Sequence, residues 1–76
     1  MEKELVHQFK NHEDDEVRIS IGNYKDKTYV DLRLFFKDKQ GEFAPTKKGL
    51  TVPAELISEL AKGIEKAAEA LAAAKA

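Results

Sequence analysis

The sequence predicts a small α+β protein in which three to four antiparallel strands precede one C-terminal helix. Residues 17–21 and 28–36 alternate between apolar and polar side chains, which is the period of a half-buried strand. From residue 53 onward, apolar side chains recur at intervals of three and four, which is the period of an amphipathic helix. The order of these patterns along the chain is β-β-β-β-α, or β-β-β-α if the first segment is not a strand.

The length of 76 residues allows one domain, and a chain this short buries only about 60% of the surface that it exposes when unfolded. Cysteine is absent, so there is neither a disulfide nor a thiolate metal site. His7 and His12 have neither the helical nor the strand spacing of a metal pair, so no metal or cofactor is expected. Self-association is therefore the favoured source of further stability.

The first 16 residues combine a short apolar alternation with an acidic run. Residues 5–9 are predicted to be either a short edge strand or a frayed tail, and the sequence leaves both open. Residues 11–16 have the composition of a solvated loop and lack the glycine spacing of a calcium loop. We therefore divide the chain into an N-terminal arm or short strand with an acidic loop, 1–16, and a main domain, 17–76.

The middle segments are predicted to form an antiparallel sheet. Turn residues separate the strands at 22–27 and at 38–41. In the strongest strand, Val30, Leu32, Leu34 and Phe36 share the core face, while Tyr29, Asp31, Arg33 and Phe35 share the other. Residues 42–52 form a less regular return strand in which Pro45 indicates an edge or a bulge.

The C-terminal helix is predicted to begin near Pro53, where a proline costs no helical hydrogen bond. Gly63 lies inside the helical pattern and indicates a kink or a close-packing point. One apolar stripe is formed by Leu56, Ile57, Leu60, Ala61, Ile64, Ala67, Ala68 and Leu71. One helix on one small sheet cannot hide both this stripe and the apolar strand faces, so a second copy is expected to complete the core.

Charge is distributed unevenly. Residues 24–49 carry a net charge of +3, whereas the whole chain carries −1. Proteins hold single-stranded nucleic acid with cations that follow the phosphates and with flat side chains on which the bases stack. Considered one at a time, the aromatic and basic residues of this segment are more often a turn aromatic, a core phenylalanine or a solvated lysine than a contact to nucleic acid. Together they indicate a basic and aromatic platform for an anion.

Other classes of function receive little support. Ser20, Thr28 and Thr46 have no plausible histidine partner, so we predict that the protein is not an enzyme. The sequence contains no signal-peptide pattern and no run of ~20 apolar residues that could span a membrane. A cytoplasmic protein is expected, nucleoid-associated if the source is prokaryotic. A pI of about 6.1 argues against nonspecific coating of duplex DNA.

The segment KDKTYVDLRLFFKDKQGEFAPTKKGLTV resembles the single-stranded-DNA-binding domain of the transcriptional positive cofactor four family. The matching elements, in order, are an aromatic-Lys-x-Lys turn, an Asp-hydrophobic-Arg strand with paired aromatics, an Asp-x-x-Gly-Glu turn and a Pro-x-Lys-Lys-Gly segment. The resemblance covers about residues 17–66. It implies a curved antiparallel sheet, a kinked helix and a homodimer whose two basic channels bind the antiparallel strands of melted DNA.

The resemblance also implies roles for individual residues. Tyr24 and Phe36 would stack on bases, and Phe35 is the alternative because strict alternation puts Phe36 on the core face. Phosphates would be held by Lys25, Lys27, Arg33, Lys47 and Lys48. The dimer interface is predicted to include Leu56, Ile57, Leu60 and Ile64.

The sequence therefore predicts a homodimeric, non-enzymatic protein that binds single-stranded DNA without sequence preference. It would act in transcription regulation or DNA maintenance, with the transcription machinery as a partner. Two alternatives stay open. One is an RNA-binding protein that uses the same groove, and the other is a dimeric protein-interaction module whose helix stripe docks another protein.

Overall fold

The computed structural model describes residues 2–12 and 14–75, which form a four-stranded antiparallel sheet followed by one helix. The strands lie in the order of the chain, so each pairs with the next. Their bounds are β1 Glu2–His12, β2 Asp15–Tyr24, β3 Lys27–Lys37 and β4 Phe43–Pro53. A 3₁₀ turn, Ala54–Leu56, leads into the helix α1, Ile57–Lys75. The predicted α+β class is confirmed, with four strands.

The N-terminal segment forms a full strand of the sheet. β1 pairs with β2 from Glu2 opposite Asn23 to His12 opposite Asp15, with irregularities after Leu5 and Lys10. Of the two alternatives that the sequence leaves open for residues 5–9, the structure has the strand. The proposed domain boundary after residue 16 stays a prediction, and Glu13 of the acidic run lies outside the described residues.

The connection between β2 and β3 is shorter than the sequence predicts. Gly22 and Asn23, predicted to lie in the turn, belong to β2 because Asn23 pairs with Thr28, whose hydroxyl donates to the Asn23 side chain at 2.8 Å. The turn consists of Lys25 and Asp26 alone, both with positive φ, at 50° and 64°. Positive φ at both central residues is typical of a two-residue turn that follows the twist of the strands. Tyr24 is therefore the last residue of β2 and directly precedes the turn.

The two faces of the sheet differ in character. On the apolar face, Ile19 lies opposite Leu32, and neighbouring pairs on β2 and β3 repeat the pattern. α1 stands over this face, where Ile57, Leu60 and Ile64 line a cleft of about 310 Å³ with apolar residues of β1, β2 and β3. Among the described residues, Val52 is the only apolar side chain that is buried, at 8% exposure. In a single chain, therefore, most of the apolar side chains are only partly buried.

The start and course of the helix differ from the prediction at two points. Pro53 ends β4, and the α-helix itself begins four residues later, at Ile57, because the 3₁₀ turn intervenes. α1 runs through Gly63, where an added Cβ would meet nothing within 4 Å. Within one chain Gly63 is therefore not a close-packing point, and the kink stays a prediction.

A large bulge interrupts β4. Gly49 lies opposite Arg33 and Pro45 opposite Phe35, so β4 uses four positions where β3 uses two. The Thr46 hydroxyl holds the bulge by donating to the Leu34 carbonyl at 2.7 Å. The prediction that Pro45 marks an edge or a bulge is confirmed on both counts, because β4 is also an edge strand.

Candidate nucleic-acid interface

The polar face of the sheet carries an open groove of about 660 Å³. Strands β1, β2, β3 and β4 all contribute to it, along with the start of the helical segment. We call it the β-groove; its lining residues are Lys3, Tyr24, Lys27, Thr28, Tyr29, Asp31, Arg33, Thr51, Pro53 and Glu55. Three of the predicted site residues, Tyr24, Lys27 and Arg33, meet there.

Two tyrosines supply flat surfaces in the β-groove. Tyr24 is 55% exposed at the end of β2, and the Lys25 Nζ lies 5.3 Å from the centre of its ring. Tyr29 lies on the same face because Tyr24 pairs with Lys27, two residues before it. The prediction of individual site residues omitted Tyr29, although it shares its face with Asp31 and Arg33 in the alternating pattern. The mixture of aromatic and charged side chains on that face is the sequence feature that points to Tyr29.

Arg33 is fixed by a buried carboxylate. Its Nε donates to Asp31 Oδ2 at 3.1 Å and its Nη2 donates to Asp31 Oδ1 at 3.0 Å, which makes a two-point contact. Its Nη1 donates to the Thr46 carbonyl of the bulge at 2.9 Å. A guanidinium has five N–H donors, so these three bonds leave one on Nη1 and one on Nη2. Arg33 thus keeps the means to bind a phosphate while its position is set.

Gly49 provides the space for this arrangement. A Cβ at that position would lie 2.8 Å from the Leu32 carbonyl oxygen and 2.9 Å from the Arg33 Cζ. Both distances are too short for a carbon atom, so the guanidinium can occupy its position beside β4 only because residue 49 has no side chain. The Lys-Lys-Gly segment therefore shapes the β-groove through its glycine, which makes room for the Arg33 side chain.

Asp31 has two more partners. The Thr51 hydroxyl donates to Oδ1 at 3.1 Å, and the Lys3 Nζ lies 3.4 Å from Oδ2. Although burial alone would raise the pKa of Asp31, the hydrogen bonds from Arg33 and Thr51 and the charges of Lys3 and Arg33 lower it below its usual value. The same pairing raises the pKa of Arg33. One carboxylate thereby joins β1, β3 and β4.

This pairing predicts a loss of stability in acid. A carboxylate with a lowered pKa in the folded state contributes fully above its unfolded pKa of about 3.9, and the contribution falls as pH drops through the folded value. We expect Asp31→Asn to be less stable than the wild type at pH 7, with the difference shrinking toward pH 3. Urea unfolding followed by circular dichroism at several pH values measures it. A difference that stays constant with pH would contradict the assigned ion pair.

A second cluster on the same face surrounds Arg18. Its guanidinium lies over the Phe35 ring at 4.4 Å and near the Phe43 ring at 5.5 Å, and its Nε donates to Glu16 at 2.7 Å. Arg18 is directly opposite Arg33 in the β2–β3 register. The face that carries the β-groove therefore continues as a cationic and aromatic surface beyond Arg33, and none of its residues except Phe35 was predicted.

Phe36 lies on the other face. The β2–β3 register is continuous, so β3 alternates without a break and Phe36 shares the apolar face with Leu34, at 43% exposure. The structure does not bring Phe36 together with Arg33, whereas Phe35 lies on the groove face. The stacking role of either residue stays a prediction. Lys47 and Lys48 are exposed in the β4 bulge, outside the lining of the β-groove.

Within 2–12 and 14–75, no three metal-ligating side chains lie close enough to hold an ion. The helix described here is not long and apolar enough to cross a membrane.

The protein is thus of the α+β class, with a four-stranded antiparallel sheet that carries a basic, tyrosine-lined groove and is followed by one C-terminal helix. The family model described as Transcriptional Coactivator p15 (PC4) matches residues 11–63. The chain therefore belongs to the PC4 family, which is known for DNA binding and transcription coactivation. No curated protein matches the sequence significantly.

Solved structures agree with this assignment. A PC4 homolog from Burkholderia pseudomallei is 28% identical with a TM-score of 0.80, and the match covers 88% of this chain and 98% of that one. A second crystal form of that protein gives 29% identity and a TM-score of 0.79, covering 86% and 88%. A bacteriophage T5 homolog of PC4, implicated in recombination-dependent DNA replication, is 22% identical with a TM-score of 0.56, covering 93% and 97%. The last likeness concerns the fold alone.

Proposed function

We propose that the protein is a homodimer that binds single-stranded DNA through the β-groove, largely without sequence preference. The observation that carries the proposal is the groove itself, where Tyr24 and Tyr29 lie beside Lys27 and the fixed Arg33. Exposed rings can stack on bases only when the bases are unpaired, and each stacked base contributes about 1–3 kcal/mol. The cations beside them bind the phosphates that connect those bases.

The bulge lysines extend this surface at the sheet edge. Lys47 and Lys48 follow Thr46, whose carbonyl holds Arg33, so a strand that contacts Arg33 passes close to them. Their exposure leaves both ammonium groups free to approach phosphates. Lys25, in the β2–β3 turn, lies at the opposite end of the groove beside Tyr24. Cations at both ends support a path that follows β3 from the β2–β3 turn to the β4 bulge.

The homodimer is supported by the incomplete core. The cleft between α1 and the sheet is lined by apolar side chains, and several of them are more than a third exposed. A second copy would cover the helix stripe and the apolar sheet face together. Of the four predicted interface residues, Ile57, Leu60 and Ile64 line the cleft, whereas Leu56 belongs to the 3₁₀ turn and is exposed beside it.

The function is tested by fluorescence anisotropy with a labelled oligonucleotide of ~20 nucleotides, as a single strand and as a duplex, at low and moderate salt. We expect tighter binding of the single strand, weakening as salt rises because phosphate contacts release counterions. Absence of binding to either form at low salt would refute the proposal.

A double substitution, Lys47→Ala with Lys48→Ala, tests the bulge. Removing two phosphate contacts from a single strand reduces the slope of log affinity against log salt by roughly 1.4. We expect weaker binding and an unchanged dimer in light scattering. The matched control is Lys62→Ala with Lys66→Ala, which removes the same charge from α1 and should leave the slope as it was. Equal slopes for the wild type and the bulge variant would contradict the assignment.

Two observations are also compatible with other functions. The β-groove would accept RNA by the same chemistry, and the anisotropy measurement repeated with an RNA oligonucleotide compares the two directly. The exposed apolar face would suit a protein-interaction module, in which case the protein would not bind nucleic acid.

We propose that the protein acts in transcription regulation or DNA maintenance in the cytoplasm or nucleoid, with the transcription machinery as a partner class.

A further inference from the structure

The β-groove contains an acidic group where an anion is expected to bind. Asp31 is 4% exposed and lies beneath the groove, in contact with Arg33, Lys3 and Thr51. A carboxylate placed there repels phosphates, so its presence needs an explanation. Its contacts supply this explanation, because its three partners lie on three different strands and two of them are cations.

We propose that Asp31 is a positioning residue and an internal counter-ion: it orders Arg33 and Lys3 and cancels part of their charge. The inference rests on the proposed binding of single-stranded DNA. The two-point contact of Arg33 Nε and Nη2 with Asp31, together with the bond from Nη1 to the Thr46 carbonyl, sets the orientation of the guanidinium. The two N–H groups that remain are held still before a phosphate arrives.

The same contact brings β1 into the site. Lys3 lies in β1, at a position before the residues matched by the family model, and its ammonium group reaches the carboxylate across β2. Two cations therefore share one anion. Asp31 by itself lowers the net charge of the β-groove by one, which limits the purely electrostatic part of the binding.

The salt dependence of binding distinguishes this role from a merely structural one. The affinity for a single strand falls with salt with a slope of about −0.7 for each phosphate neutralised. We expect Asp31→Asn to steepen the slope by about 0.7, because one charge is released for phosphate contact. Glu55→Gln is the matched control, since Glu55 lines the groove but forms no ion pair among the residues described, and its slope should change much less. Parallel slopes for wild type and Asp31→Asn would overturn the proposal.

A second pair of variants does not depend on the folding of Asp31→Asn. Lys27 and Lys3 both line the groove, but only Lys3 pairs with Asp31. We expect Lys27→Met to flatten the slope by about 0.7, and Lys3→Met to flatten it by less than half as much. Equal effects would show that Asp31 does not cancel the charge of Lys3.

One readout needs no DNA. In the NMR spectrum of the free protein, the Arg33 Nε–H proton should exchange slowly with water in the wild type and rapidly in Asp31→Asn. Slow exchange with no DNA binding would refute the proposed function and leave the ordering role of Asp31 intact. Rapid exchange in the wild type would refute the ordering role itself.

Discussion

Gly49→Ala is expected to weaken single-stranded-DNA binding by about tenfold or more. The new methyl group would lie 2.9 Å from the Arg33 Cζ and 3.0 Å from its Nη1, so the guanidinium has to leave its position. Losing a hydrogen bond to a charged group costs about 1.5–3 kcal/mol, and 1.4 kcal/mol corresponds to a factor of ten in affinity. Fluorescence anisotropy with the labelled single strand of ~20 nucleotides measures this change in affinity.

The same substitution should also reduce stability. The methyl group meets the Leu32 carbonyl oxygen at 2.8 Å, which is backbone within the sheet and cannot move away as a side chain can. Overpacking of this kind costs about 1–3 kcal/mol. Gly41→Ala is the matched control, because Gly41 has φ of 84° and no neighbour within 4 Å of an added Cβ. It should lose about 1 kcal/mol of stability through its backbone and keep its DNA affinity. Wild-type affinity in Gly49→Ala would show that Arg33 does not depend on this glycine.

Ile64→Glu is expected to convert the dimer to a monomer. Ile64 is 55% exposed in one chain and lines the apolar cleft between α1 and the sheet. Burying an isoleucine fully gains about 1.5–3 kcal/mol, and an unpaired carboxylate in the same place costs more than that. Light scattering should give the mass of one chain, and the unfolding midpoint should no longer rise with protein concentration.

The control for this substitution lies on the same helix. Lys66→Glu also places a glutamate on α1, outside the apolar stripe, and should stay dimeric. A dimeric Ile64→Glu would exclude this face of the helix from the interface. A monomeric wild type would refute the homodimer while leaving the β-groove untouched, because the residues that line the groove come from one chain.

Much of this architecture could be predicted because it is local. Strand alternation placed Tyr29, Asp31, Arg33 and Phe35 on one face, and the register confirms that placement. The same alternation assigned Phe36 to the core face, in conflict with the role that the family resemblance implied for it. The resemblance described a sequence position, whereas the register determines which face the side chain occupies.

The contacts that shape the β-groove could not be predicted because they are long-range. Lys3 and Asp31 are 28 residues apart, and Thr51 is 20 residues from Asp31. The size of the β4 bulge depends on a hydroxyl of Thr46 that bonds a carbonyl of the neighbouring strand. The role of Gly49 appears only when the Arg33 side chain is placed against it. Residue spacing within one segment contains none of this information.

The most direct test of the account is an NMR titration of the labelled protein with a short oligothymidine, following side-chain signals. Bases stacked in the β-groove should shift the ring signals of Tyr24 and Tyr29 and the Arg33 Nε–H signal. The ring signals of Phe36, on the opposite face, should move little, and those of Phe35 report whether the strand continues past Arg33. Shifts confined to Phe36 and the apolar face, with Tyr24, Tyr29 and Arg33 unmoved, would contradict the assignment of the β-groove as the DNA-binding site.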